Sequence, residues 1–275
     1  MELFTLYGPF ALQSYGLLIA LGVYIGLFLL QRHPRRSSLI TENQLFTLVY
    51  SSTLVGILGG RILYSIFNAD DYTHWSQFFA VWDGGLSIQG AILSIVLFVI
   101  IWTYINQKSI LKILDLCSIF APLMQSFGRI GCYCAGCCFG APTTMPWGIS
   151  NKYLYNEQIS SHIGFIHPTQ LYSAAQLFII FIVLYYLDRS TKISTYPGKL
   201  FTVYIILSSL ERFITDFWRG DRIFFDSTSS YSSIITLFSV HQWLALAILS
   251  IIASIYILVC AYYTRSRQPL NTNAS

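Results

Sequence analysis

A chain of 275 residues that is 55% hydrophobic and only 10% charged, with mean hydropathy +0.58, has too few charges to coat a water-facing surface. That excludes an ordinary soluble domain, and a net charge of +4 with no polybasic run gives no basis for binding nucleic acid. The length accommodates roughly six to eight spanning helices of about 20 residues each and little else. One all-α integral membrane domain, residues 1–264, is therefore expected, followed by a polar cytoplasmic tail at 265–275.

In chain order, Met1 to Gln13 has no basic region and carries Glu2, so it does not read as a cleaved signal peptide. Apolar runs follow near 12–31, 44–67, 86–105, 112–131, 168–187, 199–217 and 237–263, which predicts about seven transmembrane helices. Arg32, Arg35, Arg36, Lys108, Lys112, Arg189, Lys192, Lys199, Arg265 and Arg267 flank alternate ends of these runs, ten of the 16 basic residues. The positive-inside rule makes that side cytoplasmic, with the N-terminus outside and the C-terminus inside. The other side carries Asp70, Asp71, Asp83, Glu157, Asp221 and Asp226 in longer loops, together with the Ser-rich stretch Ser227 to Ser233, and function is expected there.

Charges at membrane depth are costly unless they are paired or face a polar cavity. Arg61 lies in the second run, Arg129 near the outer end of the fourth, and Arg212 and Arg219 in or beyond the sixth, beside Glu211 and Asp216. A guanidinium fork matches phosphate oxygens two at a time, so arginines converging at one leaflet point to a phospholipid headgroup. Ion pairing of Arg212 with Asp216 at i,i+4 is the plainer reading of that pair. Glycines accompany the arginines: Gly59 and Gly60 before Arg61, Gly84, Gly85 and Gly90 near the third run, then Gly128, Gly131, Gly136 and Gly140. They allow close helix approach and leave room beside Arg129. His167 to Tyr172 opens the fifth run with Pro168 early in the helix and Thr169 or His167 available to cap it. His167 is also suited to proton transfer near neutral pH.

Cys117 and Cys260 read as core residues. The run Cys132, Cys134, Cys137 and Cys138 stays open between four readings. It could be a zinc site strained by its short spacing, an oxidised or redox pair, a covalent nucleophile, or small side chains that allow tight packing.

Taken together, Tyr15-Gly16-Leu17, Gly59-Gly60-Arg61, Asp83 to Ser87, Gly128-Arg129-Ile130-Gly131, His167 to Tyr172, Arg212 to Arg219 and Ser239 to Gln242 resemble the bacterial prolipoprotein diacylglyceryl transferases. The resemblance implies a seven-span enzyme of the bacterial cytoplasmic (inner) membrane. It would move the diacylglyceryl group of phosphatidylglycerol onto the lipobox cysteine in the signal peptide of a preprolipoprotein, with no metal or dissociable cofactor. It implies that Arg129 and Arg212 hold the lipid phosphate, that Tyr15 and His167 line the cavity, and that Arg61, Gly128, Gly131, Gln89, Cys137, Asp216 and Arg219 contribute to substrate binding. The chain departs from the family pattern at Gln89, where a histidine is usual, and at Cys132, Ala135 and Cys137, where two asparagines and a glutamate are usual. Ser208 replaces a tyrosine and Asp216 a glutamate. Those departures keep other readings in view: a phospholipid-dependent transferase with another acceptor, a membrane thiol redox protein using the cysteine run, and a lipid binder without chemistry.

Overall fold

The architecture comes from a computed structural model that describes residues 2–7, 10–69, 87–150, 164–189, 197–220, 222 and 238–266, with side chains from residue 15 to 254 apart from those of 88 and 89. Asp70, Asp71, Asp83, Gly84, Gly85, Lys152, Glu157, Lys192, Asp221, Asp226, Ser227 to Ser233, the side chains of Gln89 and Cys260, and the tail beyond Ser266 lie outside the described residues.

A hairpin of β1 (Glu2–Tyr7) and β2 (Phe10–Gln13) precedes α1 (Ser14–Gln31), the short α2 (Pro34–Leu39), α3 (Glu42–Phe67), α4 (Ile88–Ile105) and α5 (Ile110–Ala135). Two-residue strands β3 (Pro142–Thr143) and β4 (Phe165–Ile166) pair antiparallel. The helices α6 (Thr169–Asp188), α7 (Lys199–Asp216) and α8 (Val240–Ser266) complete the order. Each of the seven predicted apolar runs is thus a long helix. By length and composition α3, α5 and α6 can cross a membrane, and Tyr15–Gln31, Gly90–Ile105 and Val240–Ser254 are shorter apolar helices. In α7, an 18-residue helix, the charged residues are Lys199, Glu211, Arg212 and Asp216. Leu54, Ile62, Leu93, Leu97, Ile179 and Tyr186 are exposed on the outer faces of α3, α4 and α6. Such apolar surface is stable against lipid and not against water, so this is an α-helical membrane protein.

Local chemistry sets the helix ends. Thr41 and Gln44 form a reciprocal capping box at α3. Ser87 accepts from the backbone N–H of Gly90 at the start of α4. Pro168, with no side-chain cap, is the N-cap of α6, so neither Thr169 nor His167 caps that helix as the sequence allowed. The Thr169 hydroxyl instead donates to the Cys138 carbonyl at 3.0 Å.

Small residues set the helix spacing. A Cβ on Gly22 would fall 2.6 Å from that of Phe127, and one on Gly26 would fall 2.3 Å from Met124 Cε, so α1 lies directly on α5. Between α3 and α4 a Cβ on Gly90 would meet the Gly59 carbonyl oxygen at 2.5 Å, and the Ser87 N–H donates to the Gly60 carbonyl at 3.0 Å. The core joins α5 and α6 through Leu116, Ile119, Phe120, Leu177 and Leu184.

At the end of the bundle where α5 and α7 begin, buried polar groups fasten the helices. Asp115 on α5 accepts from the N–H groups of Gly198 at 2.6 Å and Phe201 at 2.9 Å, so a carboxylate from one helix caps the positive end of another. Asp188, closing α6, pairs with Arg35 and with His33 at 3.0 Å. Asp115→Ala removes two charge-assisted bonds at the α7 terminus and leaves buried donors unmet, which costs about 2–3 kcal/mol. Chemical unfolding in detergent micelles should show that loss, with a smaller one for Asp115→Asn.

Candidate functional site

Three chain segments meet where α5 and α7 end and α6 begins. Gly136, at φ 72, turns the chain out of α5. From there Phe139 to Ala141 runs between the other two segments. The N–H of Gly140 donates to the His167 carbonyl at 3.1 Å and that of His167 to Ala141 at 3.0 Å, while Ala141 N–H donates to Trp218 at 2.8 Å and Gly220 N–H to Phe139 at 3.1 Å. A side chain at Gly140 has no room, since its Cβ would sit 2.4 Å from the His167 carbonyl oxygen and 2.8 Å from that of Trp218. This small sheet fixes His167, the cysteine run and Arg219 in one cluster. Gln170 adds a bond from its amide to the Cys137 carbonyl at 2.7 Å.

Around this tie lie most of the predicted residues. Arg129 is in the last turns of α5, half-buried, and makes no hydrogen bond or ion pair with any described residue. Beside it, Gly131 packs on Tyr15, whose ring carbon Cδ2 would lie 3.0 Å from a Cβ there. A Cβ on Gly128 would meet no described residue within 4 Å, so among the described residues that face of α5 is open. Tyr15 is in electrostatic range of Arg129, Cys132, Cys137 and Cys138. Arg212 is in range of Arg219, Asp216, Arg129 and Glu211. Between α7 and α8 a cavity of about 310 Å³ places Arg212 and His241 beside Leu244, Ala245 and Ile248, an amphiphilic lining at the lower end of ligand-cleft volumes, about 300–1,000 Å³.

Asp216 organises the far wall. It is fully buried, it accepts from the Ser239 hydroxyl, and it faces Arg212 at 3.7 Å, Arg222 at 3.7 Å and His241 at 3.9 Å. Gln242 donates to the Phe213 carbonyl and accepts from Arg222 at 2.9 Å. Asp216 therefore positions cations. Glu211 faces α6 instead, accepting from Ser173 and Thr215 hydroxyls.

The His167 ring meets Tyr172, with Nδ1 at 3.2 Å from its hydroxyl, and that hydroxyl accepts from Trp147 Nε1 at 2.7 Å. Tyr172 packs edge-on against Trp218. His167 thus enters the cluster through its backbone and this aromatic group rather than through an arginine. Arg61 is 5% exposed within α3, lies over the Tyr64 ring at 5.8 Å, and belongs to the α3 and α4 pair. The described cysteines, Cys117, Cys132, Cys134, Cys137 and Cys138, form no disulfide among themselves. The sulfur atoms of Cys132, Cys137 and Cys138 all lie within 4.8 Å of one another, and Cys134 is not among them. Burial pushes the Cys137 thiol up. Cys138 receives a hydrogen bond from Cys132 and lies near Arg219 and Arg129, which together hold it below the usual thiol range despite burial.

Sequence reasoning passed over Arg222 and His241 as partners of Asp216, and Trp147 and Tyr172 as the group around His167. The His241 signal lies in the Ser239 to Gln242 stretch, at the start of α8. Arg222 had no signal beyond being basic outside the apolar runs.

Fold and site define an α-helical membrane protein with Arg129, Arg212 and Arg219 in mutual electrostatic range at one end of its bundle. A family model described as prolipoprotein diacylglyceryl transferase matches residues 1–260. The phosphatidylglycerol–prolipoprotein diacylglyceryl transferase of Clostridium tetani is 33% identical over 239 residues, covering 86% of this chain and 92% of its own length. Those of Prochlorococcus marinus strain NATL2A and Thermosynechococcus vestitus are 32% and 33% identical, covering 80% and 78% of this chain and 78% and 80% of their own. The chain belongs to the prolipoprotein diacylglyceryl transferase family.

The two glycines of the site make opposite demands. Gly140→Ala pushes a methyl into two carbonyl oxygens and should lower the melting temperature in detergent. Gly128→Ala meets open space inside a helix and should leave it unchanged or raised, since alanine is favoured there by up to about 1 kcal/mol.

Proposed function

We propose that this chain transfers the diacylglyceryl group of phosphatidylglycerol to the lipobox cysteine in the signal peptide of a preprolipoprotein; its relatives are named as phosphatidylglycerol–prolipoprotein diacylglyceryl transferases. It does so as a seven-span protein of the bacterial inner membrane, with its N-terminus outside and its C-terminus cytoplasmic. One observation carries the reading: Arg129 and Arg212 make no hydrogen bond to any described residue, yet lie in mutual electrostatic range with Arg219. A phosphodiester would complete them. Its two free oxygens fit the guanidinium forks, and the apolar wall of Leu244 and Ile248 suits an acyl chain beside the headgroup.

In the reaction the peptide sulfur attacks the glycerol carbon that bears the phosphate. A carbon–sulfur bond forms as the carbon–oxygen bond breaks, and the electron pair leaves with glycerol phosphate. Charge grows on the departing oxygen, and Arg129 and Arg212 stabilise it at that moment. Arg219 holds the same anion, Tyr15 packs against Gly131 at the edge of the recess, and Asp216 keeps Arg212 aimed. The thiol proton needs an acceptor. Two tautomers of His167 fit its contact with Tyr172; the one in which Nδ1–H donates to the tyrosine leaves Nε2 free to take that proton, and the reaction requires this one.

The test is transfer in liposomes of phosphatidylglycerol with a fluorescent lipobox peptide, read by mass spectrometry of the peptide. A diacylglyceryl mass gain on the cysteine is expected, falling about 10²- to 10³-fold in Arg129→Ala or Arg212→Ala. Gly128→Ala should fold normally and transfer slowly, because its methyl enters the space beside Arg129. No mass gain under conditions where the Clostridium tetani relative works would overturn the reading.

A further inference from the structure

Adjacent side chains of an extended chain point to opposite faces, yet Cys137 and Cys138 aim their sulfur atoms at one point. The reason is in the backbone. Cys138 has φ 58, the left-handed region that a residue with a Cβ seldom occupies. The segment is held there by Gln170 on the Cys137 carbonyl and Thr169 on that of Cys138. Cys132, one turn back on α5, completes the group, and its carbonyl accepts the Cys137 N–H at 3.2 Å. Tight packing alone does not call for three convergent sulfurs on a strained turn.

We propose that Cys132, Cys137 and Cys138 form a three-thiolate site for a thiophilic d10 metal ion of the zinc or copper(I) type. Three sulfurs at about 2.3 Å from a central ion lie about 4.0 Å apart in a trigonal arrangement. The observed sulfurs are all within 4.8 Å of one another, so closing on an ion needs only small side-chain adjustments. Three thiolates around such an ion make an anionic complex, which Arg129 and Arg219, both in electrostatic range of Cys138, stabilise. Cys137 is exposed and offers the ion a way in. The ion displaces the thiol protons into solvent, so affinity rises with pH. The inference is independent of the transfer reaction.

The test uses the whole protein in detergent, stripped of metal and kept reduced with a phosphine, titrated with Cd2+. Binding is read from the thiolate-to-cadmium charge-transfer absorption and from the bound metal per chain. One Cd2+ per chain is expected. Cys138→Ser and Cys137→Ala should each weaken binding by about tenfold or more, while Cys134→Ser and Cys117→Ser leave it within about twofold. Cys137 is exposed, so Cys137→Ala is the variant least able to disturb folding, and its melting temperature is measured alongside. Absence of the charge-transfer band in the reduced protein would overturn the site. So would an equal loss in Cys134→Ser, or a Cys132 disulfide that the phosphine fails to open.

Discussion

Asp216 is fully buried at the end of α7, and a carboxylate cannot stay charged away from water without compensation. Its compensation comes from two other segments: the Ser239 hydroxyl and His241 at the start of α8, and Arg222 beyond α7. That single charge ties the exit of α7 to the start of α8. Arg212, one turn back on the same helix, is drawn into position without being saturated, since 3.7 Å is an ion-pair distance and not a hydrogen bond. Removing Asp216 would therefore release both the cavity wall and the guanidinium aimed into the recess.

On the proposed function, the same economy explains why this end of the bundle would attract an anion. Arg129, Arg212, Arg219 and Arg222 bring four guanidinium groups to one end of the bundle. Among the described residues only two carboxylates lie near them, and Glu211 is turned to the Ser173 and Thr215 hydroxyls. Excess positive charge in a medium of low dielectric constant attracts a diffusible anion strongly. The backbone tie through Gly140 matters because it fixes the distance between charges carried by different segments. Arg219 is held beside Cys138 by the pairing of Gly140 with its own backbone.

Much of this is legible in the sequence. Runs of about 20 apolar residues have few alternatives to helix in a membrane, so the seven helices fall within a few residues of their predicted bounds. The cost of charge at depth is enough to single out Arg129, Arg212 and Arg219 from the residue order alone. Applied to acids as firmly as to arginines, that rule also reaches Asp115, which sits in an apolar run and caps α7. Other features are not legible because they depend on long-range pairing. The hairpin before α1 has only short strands, β3 and β4 are two residues each, and nothing local shows that Phe139 to Ala141 lies between His167 and Trp218. The end of α5 is also not legible, because the apolar run stops near residue 131, whereas α5 continues through Gly131 to Ala135.

The departures from the family pattern acquire a physical meaning at this point. A glutamate and asparagines near Arg129 would offer it oxygen acceptors; Cys132, Ala135 and Cys137 offer none of comparable strength. Arg129 accordingly makes no bond to a described residue. On the proposed function the substitution would strengthen the attraction for a phosphate and remove a local base, so that proton transfer would fall to a group outside the stretch. His167 is joined to that stretch by the Gly140 hydrogen bond and oriented by Tyr172 and Trp147. The soft sulfur atoms left behind are poor partners for a guanidinium and good ones for a d10 metal ion. Replacing oxygen by sulfur at one helix end therefore keeps the anion recess intact while setting a different chemistry beside it.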